Sequence, residues 1–268
     1  MTHDPQRIAA FFDDYGEREW TRFEDGTNTR ASLQVHLHYL RRFVTPGDLV
    51  LDVGAGPGRF TVELARLGAN VVVADLSPEQ LELNRARVEA ATLSARVLDH
   101  VVADVADLSR FDDATFDAVV CYGGPISYVV DRAEDAVREL VRVTKPNGHV
   151  LLSVMSLVGA VSHYLDLLLD LVRRDGLTPT EEIIRTGVLP EGDGYGHLKM
   201  RLFRWRELEE VLAPHGTIVA AAAAGLLKID EPEEPHLRDL LTRLELDLGA
   251  EPGAVEGGEH IGAVLRKT

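Results

Sequence analysis

Three glycines, Gly54, Gly56 and Gly58, stand within five positions, directly behind the apolar run "LVLDV" and just after an acid, Asp52. Glycine lets a backbone turn sharply and lets a ligand approach without meeting a side chain. A helix starting just after such a turn, here near Arg59, presents free N–H groups and the positive end of its dipole to an anionic group. The spacing narrows the ligand. A dinucleotide fingerprint needs G-x-G-x-x-G, and counted from Gly54 the third glycine should stand where the chain has Arg59. A phosphate-binding P-loop needs a Gly-Lys-Ser/Thr, which does not follow. An acid at the strand mouth is awkward beside a pyrophosphate and welcome beside a ligand carrying positive charge. Two more acids, Asp75 and Asp104, close later apolar runs.

These residues need a scaffold that brings strand ends together. Residues 48–53 read as a buried strand, after which Phe60, Leu64 and Leu67 repeat at helical spacing. A second strand covers 70–75. The helix "SPEQLELNRARVEAA" follows, with Ser77 as N-cap, Pro78 at the first position and Gln80 closing a capping box. Strands at 96–104 and 116–123 come next. Ala133, Val137, Leu140 and Val141 then mark one helix face, and the turn "KPNG" leads into a fifth strand at 148–154. Nearly all-apolar strands alternating with helices imply a parallel sheet covered on both faces, doubly wound by right-handed crossovers. The tail reads as a helix over 204–216, a strand over 217–224, a helix over 237–248 and a last strand over 259–267. The expected fold class is therefore α/β: a doubly wound, mostly parallel seven-stranded sheet with helices on both faces and an added helical cap. Four parts are expected. They are an N-terminal helical cap segment (1–45), the core (46–155), an inserted cap (156–204) carrying the amphipathic "SHYLDLLLDLVRR", and the C-terminal part of the sheet (205–268). The stretches 189–198 and 230–235 read as loops.

Composition bounds the partners. The chain of 268 residues carries 44 acids against 28 bases, a formal charge of −16, which repels polyanions and disfavours a nucleic-acid partner. A small molecule is the easier ligand. With a single cysteine, Cys121, no intrachain disulfide forms and no cysteine-based zinc pattern fits. The longest apolar run, 218–227, is too short to span a bilayer, and the first twenty residues hold no secretory pattern. A cytoplasmic protein without membrane association, monomeric or homodimeric, is expected.

The strings "LVLDVGAGPG", "VVVADLSPEQL", "VVADVADL" and "FDAVVCYGGPISYV" together resemble the class I S-adenosylmethionine-dependent methyltransferases, over residues 46–154. The resemblance implies S-adenosylmethionine as cofactor, S-adenosylhomocysteine as product, and no metal. It implies that Asp52 and the loop of Gly54, Ala55, Gly56 and Gly58 hold the methionine part. Asp75, about 20 residues past the loop, would accept both ribose hydroxyls. Asp104 would accept from the adenine amino group, the Val105 N–H would meet a ring nitrogen, and Leu76 would pack on the adenine face. Cys121 and Tyr122 would line the methionine end, mostly through backbone groups. The Asn/Asp-Pro-Pro-aromatic motif of amino-methylating nucleic-acid enzymes is absent, and "CYGGP" stands in its place, which favours a small acceptor.

Methyl transfer from a sulfonium is an in-line displacement in which placement of the acceptor does most of the work. A base is needed only where the acceptor does not shed its proton unaided. His163 and His197 are the candidate bases, each with a packing or surface role as the competing reading. Tyr15 and Trp20 resemble an N-terminal aromatic segment closing over the cofactor, or else staple a helix. Tyr128 is a candidate to face the acceptor. His36 and His38 cannot share a helix face and suggest no metal site. Cys121, inside an apolar strand, reads as a small hydrophobe rather than a nucleophile. The expected function is methyl transfer to an O, N or C atom of a small molecule. A nicotinamide-dependent oxidoreductase and a noncatalytic module that binds the cofactor or its product are the alternatives.

Overall fold

The computed structural model describes residues 3–21, 29–192, 197–227 and 232–268. The chain opens with helices α1 (Pro5–Tyr15), α2 (Arg18–Thr21) and α3 (Thr29–Phe43). Strand β1 (Leu49–Val53), helix α4 (Arg59–Arg66), strand β2 (Asn70–Asp75), helix α5 (Pro78–Ala90) and strand β3 (Val97–Val102) follow. Then come β4 (Phe116–Cys121), the short α6 (Pro125–Tyr128), α7 (Ala133–Val143) and β5 (Thr144–Met155). Helices α8 (Leu157–His163), α9 (Leu165–Asp175) and α10 (Leu177–Thr186) lead to a small antiparallel pair, β6 (Val188–Leu189) and β7 (Met200–Arg201). The chain ends with α11 (Trp205–Leu212), β8 (Gly216–Ala224), α12 (Pro235–Gly249) and β9 (His260–Lys267).

Seven strands form one sheet in the order β3-β2-β1-β4-β5-β9-β8. The first five are parallel, and β9 enters antiparallel between β5 and β8. This is the doubly wound, mostly parallel sheet expected from the strand pattern. Alternate residues of each strand feed opposite layers. Leu51, Val119 and Leu152 pack under α7 and α11 through Leu140, Leu208 and Leu212. Val50, Val120 and Leu151 pack on the other face under α3 and α4 through Leu40, Phe60 and Leu64. Strand order reverses between β1 and β4, so a crevice opens there at the carboxyl edge.

Several boundaries differ from expectation for local reasons. The third strand ends at Val102, not Asp104, because the chain turns there: the Asp107 N–H donates to the Asp104 carbonyl at 2.9 Å. "KPNG" is not a turn before the fifth strand but an irregularity within it. Phe116 pairs with Thr144 and Ala118 with His149, so residues 145–148 bulge out opposite Asp117. The amphipathic helix of the cap breaks at Tyr164 into α8 and α9. Ser77 does cap α5, its hydroxyl accepting from the Gln80 N–H at 3.0 Å. Gln80 does not close a capping box. Its amide donates instead to the carbonyls of Phe12 (2.9 Å) and Gly16 (3.0 Å), and so seats α1 on α5. Of the two expected loops, residues 193–196 and 230–231 lie outside the described residues.

Candidate functional site

A cavity lies at the carboxyl edge where strand order reverses, walled by the glycine loop, the ends of β2 and β4, helix α1 and the cap. The loop is shaped by two constraints. Gly54 has φ +65°, and a Cβ there would stand 2.2 Å from Cγ of Pro125, so only glycine lets the loop meet the start of α6. Gly58, at φ +96°, caps α4, and a Cβ there would press on the Asn84 amide at 3.0 Å. Behind the loop runs a buried chain of hydrogen bonds. The Thr61 hydroxyl donates to Asp52 at 2.6 Å, and the Asn84 amide donates to the Thr61 oxygen at 2.9 Å and to the Gly56 carbonyl at 3.3 Å.

The expected cofactor residues separate into two groups. Gly54, Ala55, Gly56, Asp75, Leu76, Val105 and Tyr122 line the cavity. Asp52, Gly58, Asp104 and Cys121 do not. Asp52 is 1% exposed and faces Thr61 behind the loop; burial pushes its carboxyl up to about 7, against the Thr61 hydrogen bond, with Asp75 adding to the rise. Asp75 sits on the wall. Its carboxylate accepts the N–H of Gly56 at 2.8 Å and of Ser77 at 2.9 Å, which fixes its orientation. Burial outweighs those bonds and raises its carboxyl to about 6, with Glu19 contributing. Asp104 lies in the turn past β3, where its carboxylate accepts from the Ala106 N–H at 2.9 Å and from His3 Nε2 at 2.6 Å. Its neighbours Ala103 and Val105 reach the wall instead. Cys121 is fully buried in the core, and burial raises its thiol.

Helix α1 forms one side of the cavity through Ile8, Phe12 and Tyr15. Its seat is polar: Asp13 accepts the Ser77 hydroxyl at 2.5 Å and the Glu79 N–H at 3.2 Å. Trp20 is not on the wall. Its ring lies between two guanidinium groups, Arg59 at 3.6 Å and Arg87 at 4.4 Å from the ring centroid, and it ties α2 to α4 and α5.

Tyr128 and His197 meet beside α1, where Phe12 lies edge-on to Tyr128 at 5.5 Å, their own rings stacked at 5.4 Å and the tyrosine oxygen 3.3 Å from His197 Nε2. His163 is 4% exposed in α8 and does not reach the cavity. Its Nδ1 lies 3.8 Å from Glu259 Oε1, and the Tyr164 hydroxyl donates to that same oxygen at 2.7 Å. Tyr164, Glu259 and His260 all line the cavity, and sequence reasoning passed over all three. So were Phe12 and Gln80. The available signal was the last strand: once β9 is antiparallel beside β5, its first residues must stand at the carboxyl edge. Among the described residues, no group of three or more His, Cys, Asp or Glu side chains is placed to hold a metal ion.

Comparison with known proteins shows the family. Residues 51–152 match a methyltransferase domain family. A demethylmenaquinone methyltransferase of Mycolicibacterium vanbaalenii is 31% identical over 218 residues, covering 80% of this chain and 86% of that protein. The chain belongs to the class I S-adenosylmethionine-dependent methyltransferases. A second member, the demethylmenaquinone methyltransferase of Clavibacter sepedonicus, is 36% identical over 161 residues. That match covers 58% of this chain, which spans only 61% of that methyltransferase's length. Among solved methyltransferases, the Burkholderia thailandensis 1,6-didemethyltoxoflavin-N1-methyltransferase, with its acceptor and S-adenosylhomocysteine bound, shares the fold. Its TM-score is 0.59 at 20% identity, over 100% of this chain and 92% of that one. A nicotinamide-dependent oxidoreductase is not favoured by these relatives.

Proposed function

We propose that this chain transfers a methyl group from S-adenosylmethionine to an O, N or C atom of a small-molecule acceptor. The observation that carries the reading is the polar wall beside the glycine loop. Asp75 presents an oriented carboxylate there. Next to it, Gln80 Oε1 is buried and accepts no hydrogen bond among the described residues, 3.9 Å from where a Gly56 Cβ would stand. Two acceptors beside a glycine fit a ligand that brings hydroxyl donors, as a ribose does. Leu76, Ala103, Val105 and Val129 supply the apolar bed that a purine needs.

When bound, S-adenosylmethionine supplies an electrophilic methyl group on a positively charged sulfur. The protein's part is placement and exclusion. Asp75 and Gln80 hold the hydroxyls, the Gly54–Gly58 loop leaves room for the chain beyond them, and α1 covers the crevice with Phe12 and Tyr15. Asp52 acts from behind, keeping the loop in shape through Thr61 and Asn84. Tyr128, His197 and Met155 face the space left for an acceptor.

The same reading gives a cytoplasmic monomer or homodimer with no nucleic-acid partner, which the acidic charge supports. No helix among the described residues is long and apolar enough to cross a membrane. The test is calorimetric titration with S-adenosylmethionine and S-adenosylhomocysteine, with Asp75→Ala alongside. Saturable binding that the variant loses supports the reading and opens a screen of acceptors by homocysteine release. Demethylmenaquinone, after which the relatives are named, belongs in that screen. A folded wild type that binds neither compound overturns it.

A further inference from the structure

Resting on that reading, we propose that Glu259 selects the acceptor: its carboxylate receives a hydrogen bond from a neutral hydroxylated aromatic ring and rejects rings that carry a carboxylate. The argument begins with topology. Asp75 ends β2 and Glu259 precedes β9, four strand spacings apart along the sheet order, or roughly 19 Å. The two acids therefore serve opposite ends of one cavity, and Glu259 belongs to the end the cofactor residues leave open.

Flat, polarizable surfaces make up that end. The Tyr128 and His197 rings are stacked, Phe12 meets Tyr128 edge-on at 5.5 Å, and the thioethers of Met155 and Met200 complete the wall. Aromatic faces and methionine sulfur suit a planar ring and adapt to its outline. Into this wall, among the described residues, the protein sets one carboxylate, 21% exposed, and holds it firmly. Tyr164 donates to Oε1 at 2.7 Å, and His163, which does not line the cavity, has its Nδ1 3.8 Å from the same oxygen. The Glu259 carbonyl accepts the Ser156 N–H at 2.9 Å. Gly159 makes this arrangement possible, since a Cβ there would fall 1.7 Å from the Gly258 carbonyl and push α8, with His163 at its end and Tyr164 just beyond, away from the segment that leads into β9. Beneath, the buried Glu245 carboxylate accepts the N–H groups of Leu226 (3.0 Å) and Leu227 (2.8 Å), pinning the loop that packs against Glu259.

A held carboxylate in an apolar wall favours a ligand that donates a hydrogen bond. It penalises an anion of the same shape, because two like charges then share a poorly hydrated space. Glu259 is the specificity residue, and Tyr164 and His163 are its positioning residues.

The test uses the full chain saturated with S-adenosylhomocysteine, titrated with 2-naphthol and with 2-naphthoate, two rings of one size that differ in charge at neutral pH. Wild type is expected to bind 2-naphthol at least about tenfold more tightly than 2-naphthoate. Glu259→Gln, which keeps the shape and can still accept from Tyr164, is expected to bring the two affinities to within about twofold. Its S-adenosylhomocysteine affinity, unchanged, shows that the variant is folded. Equal affinities in wild type overturn the proposal without any variant, as does a preference that survives in Glu259→Gln or a failure of 2-naphthol to bind. A wild type that does not bind S-adenosylhomocysteine at all removes the methyltransferase reading and this proposal together. Equal naphthalene affinities on a loaded protein remove this proposal alone.

Discussion

At the residue scale, Asp75 and Asp52 are both buried acids, and their surroundings give them opposite work. Asp75 faces the cavity with its carboxyl raised to about 6, and its ionised form is the one that accepts hydroxyl donors. Affinity for S-adenosylhomocysteine should therefore fall as pH drops through about 6, approaching tenfold per pH unit below it. Titrations between about pH 5 and 8 check this, and Asp75→Asn should bind weakly with the slope flattened. Asp52 faces away, and its raised carboxyl shows in stability alone. The folded state holds the proton more tightly than the unfolded chain does. Native stability should thus decline as pH climbs from about 4 to about 7, then level off. Asp52→Asn removes that residue's share of the decline while Asp75 keeps its own up to about pH 6, so the variant gains on wild type across the same window, by up to about 4 kcal/mol. Urea unfolding at both ends of the window decides it, and parallel pH profiles would refute the burial argument. Gly54→Ala places a methyl 2.2 Å from Pro125 at φ +65° and should cost on the order of 1–3 kcal/mol, with loss of cofactor affinity.

At the scale of elements, α1 is the part whose attachment is most easily loosened. It carries no buried residue and is seated by Asp13 and by the Gln80 amide on the start of α5. Asp13→Ala removes the acceptor for the Ser77 hydroxyl and the Glu79 N–H, which should cost about 1 kcal/mol. Hydrogen exchange in α1 should speed up while β1 and β4 stay protected. The strands themselves were legible in the sequence, because apolar runs bounded by turn residues are local patterns. The exceptions were equally physical. The helix breaks at Tyr164, whose hydroxyl reaches Glu259, the strand bulges at 145–148, where Lys145 pairs with Asp117, and Gln80 spends its amide on a helix 64 to 68 residues away.

For the whole molecule, the formal charge of −16 dominates. Many ion pairs are short-range and exposed, such as Arg185 with Glu182 and Arg173 with Asp170, and contribute little. Arg142 is an exception: it joins Glu139 and Asp113 and donates to the carbonyls of Leu108 and Phe111, tying α7 to the loop before β4. Net self-repulsion should make added salt stabilising. The melting temperature is expected to rise by a few degrees between about 0.01 and 0.2 M sodium chloride, as the Debye length shrinks from about 30 Å to under 10 Å. A fall over that range would mean that attractive pairs outweigh the repulsion.

The sequence by itself determined the strands, the glycine loop, the acid at the end of the second strand and the family, because each is written in contiguous residues. Strand periodicity, a turn that only glycine can make and a carboxylate at a strand end depend on near neighbours along the chain. The tertiary structure alone decided which side chains reach the cavity. Asp52 and Asp104 carry the same residue type as Asp75, yet one turns behind the loop to Thr61 and the other is engaged by His3 and its own turn. The far wall is likewise a product of strand order. Glu259 and His260 come after the main alternating pattern has ended, and reach the carboxyl edge only because β9 inserts antiparallel beside β5. Which face a side chain takes and which strand lies next to which are set by packing between distant segments, and no local pattern encodes them.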